Sequence, residues 1–120
     1  MRQREIGTQA RSLDAGLRAA LREDADVLVI GELRLRDVSS LRLALDACET
    51  GRLVLATMST PSAAKTIDSL IDTFPLAEQS RARGSLASAR RLVVGQRLVP
   101  SADRTRMHVA AEVLPTSMAL

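Results

Sequence analysis

Two short runs of uninterrupted apolar residues constrain this chain more than any other feature: Val27-Leu28-Val29-Ile30, and Leu53-Val54-Leu55-Ala56 running into Thr57. Neither alternates with polar residues, so both read as strands buried on both faces, the pattern of a parallel sheet. Between them, from about Asp37 to Glu49, Val38, Leu41, Leu45 and Cys48 recur at helical spacing, and Thr50-Gly51 stops the helix. Strand, helix and strand in that order predict a parallel pair with a right-handed crossover, and with it an α/β fold.

The flanking sequence extends the alternation. Ser12 is placed to cap a helix carrying Leu13, Leu17, Ala20 and Leu21 and ending near Asp24. Thr60-Pro61 reads as the cap and first position of a helix that turns Ala64, Ile67 and Ile71 inward and stops before Phe74-Pro75. A longer helix is expected over Leu76 to Val93, then strands at Gln96–Val99 and Met107–Leu114 joined by the polar turn Pro100–Thr105. No internal repeat, low-complexity stretch or long linker divides the 120 residues, which suffice for one domain.

Composition narrows the chemistry. With 46% hydrophobic and 26% charged residues the chain is not of a disordered type. No run approaches the ~20 apolar residues of a membrane span, and the start is polar, so the expectation is a soluble intracellular protein with no direct membrane insertion. A single cysteine, Cys48, allows neither an internal disulfide nor a Cys-based zinc site, and a single His108 allows no histidine cluster. Phe74 is the only aromatic residue, which argues against stacking platforms for single-stranded nucleic acid. The net charge of +3 comes from 16 arginines and one lysine against 14 acidic groups, with the excess in the second half. These arginines are dispersed and read as surface rather than as a nucleic-acid-binding face. The six glycines are scattered, and no phosphate-binding glycine loop occurs among them.

Ligands of open α/β sheets bind at the carboxyl ends of the strands. Two polar groups sit there: Glu32 after the first strand, and Thr57 to Thr60 after the second. Asp26 to Arg34 has the form of a Walker B strand, in which a terminal carboxylate polarises an attacking water or helps hold a metal's water shell. On this pattern alone a plain core strand whose Glu reaches solvent is the simpler reading. Ser62 and Lys65 share the S-x-x-K spacing of acylating serine enzymes, but the partner motifs are absent, and alanines precede the Lys65-Thr66 pair where a Walker A loop needs glycines. Both are therefore read as helix positions, His108 as a structural or surface residue, and Cys48 as a small core residue. Arg81, Arg83, Arg90 and Arg91 read as solvated helix positions, with an intersubunit contact as the sharper alternative.

Taken in order, the motifs resemble the type II/IV secretion and pilus ATPase superfamily. The stretches that carry the resemblance are Gln3–Gly7, Leu17–Val27, Gly31–Arg34, Arg42–Leu45, Glu49–Thr57, Ser62–Asp68, Phe74-Pro75, Gln96–Leu98 and Ala110–Glu112. Ser62–Asp68 followed by Phe-Pro is more similar to the PilT-like branch, the twitching-motility retraction ATPases, than to the type II secretion branch. The resemblance implies a partial RecA-like P-loop NTPase core, a mainly parallel sheet flanked by helices with a C-terminal hairpin. It implies ATP and Mg2+ as cofactors, a homo-hexameric ring, and an inner-membrane pilus platform protein as partner. The implied place is cytoplasmic, peripheral at the inner face of the bacterial inner membrane. Glu32 corresponds to the catalytic Walker B glutamate, with Gly31, Arg34, Thr57 and Ser59 as nucleotide-binding positions. Mg2+ would be held only through water near Glu32. Thr50–Thr60 corresponds to the family's His box, which senses the terminal phosphate.

The chain departs from that pattern at several points. Arg52 and Ser59 stand where the His box has its two histidines, Leu35-Arg36 is inserted before Asp37, and Ala25 replaces a proline. The Walker A loop, the Asp box, the N-terminal PAS-like domain and the C-terminal helices find no counterpart in these residues. The expectation is the second half of a RecA-like core, unable by itself to bind or hydrolyse ATP. Alternatives are a type II secretion or pilus-assembly ATPase, a non-hydrolysing paralogue of the ring, and a basic nucleic-acid-binding module.

Overall fold

In the computed structural model, which describes residues 2–115, eight elements follow one another. They are α1 (Leu13–Arg22), β1 (Val27–Ile30), α2 (Val38–Glu49), β2 (Leu53–Ala56), α3 (Ala63–Thr73), α4 (Leu76–Ala89), β3 (Leu92–Pro100) and β4 (Met107–Pro115). β1 and β2 pair in parallel, Val27 opposite Leu53 and Ile30 opposite Ala56, while β3 and β4 form an antiparallel hairpin. The α/β architecture expected from the strand–helix alternation is therefore present.

Local chemistry fixes the helix starts. Ser12 accepts from the Ala15 N–H at 3.2 Å, as a cap of α1 should. Asp37 caps α2, accepting from the Ser40 backbone at 3.1 Å and from its hydroxyl at 2.6 Å. With that hydroxyl satisfied, Ser40 is wholly buried, and Leu41, Ala44 and Ala47 complete the inward face. Val38, Leu45 and Cys48, expected on that face, are only half-buried. Burial and the nearby Glu49 carboxylate push the Cys48 thiol pKa up, away from the reactive thiolate. The cap of α3 is Ser62, not Thr60: Ser62 is extended and accepts from the Lys65 N–H, while the Thr60 hydroxyl bonds that of Thr66. The inward residues shift accordingly to Ala63, Thr66 and Ile71, leaving Ala64 exposed.

α4 ends at Ala89 rather than at Val93, because Arg90 turns extended and Leu92 to Val94 pair with Pro115 to Val113 across the hairpin. Long-range pairing of β-branched residues here outweighs a helical period. The hairpin turn is tied by Asp103, which accepts from the Ser101 and Thr105 hydroxyls and the Thr105 N–H. These bonds lower its carboxyl pKa to about 2.

The core lies on one side of the parallel pair. Leu28 and Ile30 point from β1 toward Leu17 of α1, Leu41, Ala44 and Ala47 of α2, and Phe74 and Ala82 around α4. Burial on both faces, expected from the apolar runs, is not what the strands show. Val27, Val29, Leu53 and Leu55 form the opposite face and are exposed, Val29 by 73%. The hairpin repeats the pattern: Leu92, Val94, Leu98, Met107, Val109 and Val113 are all exposed and, by register, share one face. The accessible surface of 8843 Å² exceeds the roughly 6,300 Å² usual for a globular chain of this mass.

Candidate functional site at the carboxyl edge of the parallel strands

The parallel register brings the ends of β1 and β2 side by side, and three backbone or hydroxyl bonds lock the residues just beyond those ends. The Leu33 N–H donates to the Thr57 carbonyl at 2.8 Å, the Thr57 N–H to the Ile30 carbonyl at 3.4 Å, and the Thr57 hydroxyl to the Gly31 carbonyl. Leu33 is buried in the core, so the residue before it is held at the edge with its side chain outward. Glu32 is exposed there, and among the described residues its carboxylate has no hydrogen-bond or ion-pair partner.

Gly31, Glu32 and Thr57 are thus brought together. Ser59 follows two residues on, exposed and with its hydroxyl unengaged among the described residues, while Met58 between them packs against the core. Arg34 is exposed nearby in sequence; its carbonyl accepts from the Asp37 N–H at 3.1 Å. That bond closes a turn whose central residues are Leu35 and Arg36.

Arg52 lies elsewhere. It precedes β2 and stands at the amino edge of the pair, with the four residues of β2, about 13 Å of strand, between it and Thr57. Its guanidinium donates to the Ala25 carbonyl at 3.1 Å, the Leu21 carbonyl at 3.4 Å and the Thr50 hydroxyl at 2.7 Å, with Asp24 3.9 Å away. Arg52 therefore pins the end of α1 and the approach to β1, and is not grouped with Ser59. Arg52→Ala removes three donors, two of them from part-buried carbonyl bonds and one from the exposed Thr50 hydroxyl. It is expected to cost the 120-residue chain about 1–2 kcal/mol in urea denaturation; a cost below about 0.3 kcal/mol would contradict the pinning role.

Sequence reasoning missed a second contact near this edge. Glu112 of β4 accepts from the Ala63 N–H at the start of α3, at 3.1 Å. The available signal was a carboxylate in an apolar strand, set opposite Gly95 by the hairpin register. Arg81, Arg83 and Arg91 are exposed, and Arg90 is half-buried. A small cavity of about 130 Å³, lined in part by Arg42, Phe74 and Glu78, lies between α2 and α4, not at the strand ends. Among the described residues no group of three or more His, Cys, Asp or Glu could hold a metal ion. No helix among them is long and apolar enough to cross a membrane.

Comparison with solved structures gives the class. The crystal structure of the pilus retraction motor PilT with bound ADP aligns with a TM-score of 0.89 and 40% identity, covering 98% of this chain and 34% of that one. The arrangement is thus that of part of an α/β ATPase core. The family model described as Type II/IV secretion system protein matches residues 2–118. This chain belongs to the type II/IV secretion ATPase family and is PilT-like.

Among curated relatives, the protein YggR of Escherichia coli K12 is 50% identical over 98 residues, 82% of this chain and 29% of that protein. The type IV pilus retraction ATPase PilT of Pseudomonas aeruginosa PAO1 is 44% identical over 97 residues, 81% of this chain and 28% of its own length. The chain therefore spans less than a third of the curated relatives it matches.

Proposed function

We propose that these residues are the Walker B and His-box part of an ATP-hydrolysing motor that drives type IV pilus retraction. The observation that carries this reading is the locking of Thr57 to Gly31 and Leu33, on either side of Glu32, at one strand edge, in a chain that aligns with an ADP-bound retraction motor. In this reading the Glu32 carboxylate orients and polarises the attacking water, while the hydroxyl of Ser59 and the backbone around Thr57 donate toward the terminal phosphate. The exposed, unpartnered carboxylate suits a group whose partner is a water or nucleotide.

With no group of three or more His, Cys, Asp or Glu among the described residues, Glu32 fits Mg2+ only through water and would touch the ion's water shell. When bound, Mg2+ would neutralise phosphate charge. The homo-hexamer, the pilus platform partner and the position at the inner membrane face belong to the same proposal, resting on similarity to retraction ATPases.

The test uses two proteins. The 120 residues contain no G-x-x-x-x-G-K-[ST] loop, so this polypeptide alone should show no micromolar ATP binding by calorimetry. P. aeruginosa PilT in which residues 3–114 of this chain replace the matching segment should hydrolyse ATP and restore twitching. Hydrolysis without twitching would favour a secretion or assembly role. A folded, ATP-binding but inert exchange protein would favour the non-hydrolysing paralogue.

A further inference from the structure

Glu112 and Gly95 stand opposite one another in the hairpin, on the face turned toward α3. A Cβ added at Gly95 would lie 3.3 Å from the Ala63 nitrogen and 3.4 Å from Glu112 Oε2. The bare glycine thus leaves room for the carboxylate and the helix start to approach across β3. Ala63 is fully buried and opens α3 directly after the Thr57–Ser62 segment. That segment is consequently tied at both ends. Thr57 is bonded to Gly31, Ile30 and Leu33, and Ala63 is bonded to Glu112.

We propose that Glu112 is a positioning residue for the phosphate side of the site: its bond to Ala63 fixes the Thr57–Ser62 segment to the hairpin, so that Ser59 is held beside the Glu32 edge. The proposal rests on the function argued above. A carboxylate receiving a backbone N–H in the first turn of a helix is favoured by charge assistance and by the helix dipole. No other acceptor of the Ala63 N–H is present among the described residues, and a buried donor left without one draws the segment toward water.

Two measurements test the proposal. In the 120-residue chain, Glu112→Ala should speed amide hydrogen exchange at Ala63 and its neighbours about tenfold, with the amides of β1 and α2 unchanged. Glu112→Gln, which keeps an acceptor oxygen, should stay close to the original. Gly95→Ala, which crowds the contact without removing it, should move exchange in the same direction as Glu112→Ala. In the PilT exchange protein, the ratio of affinities for a non-hydrolysable ATP analogue and for ADP should fall about fivefold in Glu112→Ala and recover in Glu112→Gln. A ratio of affinities does not depend on the fraction of protein folded, so a merely structural loss would leave it unmoved. Unchanged exchange at Ala63 in Glu112→Ala overturns the tether, and changed exchange with an unchanged ratio overturns the positioning role. If both behave as expected while Glu32→Gln leaves turnover intact, the assignment of Glu32 fails and the tether stands.

Discussion

Glu32→Gln in the PilT exchange protein is expected to slow ATP hydrolysis by about a hundredfold or more, with ATP affinity altered less than about threefold. Glutamine keeps the size of the side chain and one acceptor oxygen, so the strand edge and its three locking bonds should survive. On the proposed function, the loss is confined to the negative charge that would polarise a water. Among the described residues, no acid close to Glu32 in sequence is placed to compensate. The Asp37 carboxylate is engaged by both the backbone and the hydroxyl of Ser40, and Asp26 lies at the far end of β1. A steady-state assay under saturating ATP gives the answer directly, and a rate within tenfold of the parent would remove Glu32 from the mechanism.

The largest expected effect on stability is that of Phe74→Ala, about 3–5 kcal/mol. Phe74 is the sole aromatic residue, is only 6% exposed, and caps α3 in an extended conformation just before α4 begins. Its ring joins the cluster that includes Leu41, Ala44 and Ala82, and its carbonyl accepts from the Gln79 side chain at 3.1 Å. Truncation leaves a cavity where α3 and α4 meet, in a chain whose total stability should be of the order of 5–15 kcal/mol. The urea midpoint followed by circular dichroism should fall by more than about 1 M. Leu76→Ala, at a residue 85% exposed two positions away, should leave the midpoint almost unchanged and serves as the control. Equal midpoints for the two variants would refute the assignment of Phe74 to the core.

The parts of the fold that can be read from sequence are those whose cause is local. β1, α2 and β2 come from two apolar runs and one helical period, and the carboxyl-edge rule then singles out Glu32 and Thr57. The parts that cannot be read depend on distant residues. Leu92 and Val93 continue a helical pattern on their own, and only pairing with Pro115 and Leu114 makes them a strand. The resemblance groups Arg52 and Ser59 in one sequence box, yet a strand separates them and the guanidinium is spent on backbone carbonyls near α1. The bond from Glu112 to Ala63 joins residues 49 apart, beyond the reach of any local pattern. The uniform apolarity of β1 and β2 implies burial on both faces, whereas the described residues supply helices to only one of those faces.

That last difference separates two properties that usually travel together. Resistance to unfolding is set by the inner layer, where Leu28, Ile30 and Phe74 meet α1, α2 and α4. Resistance to clumping is set by the wet layer, where Val29, Leu55, Leu98 and Val109 meet water beside unpaired strand edges. For the described residues taken alone, the exposed strand faces and the buried layer are different sets of residues, so raising one property need not raise the other.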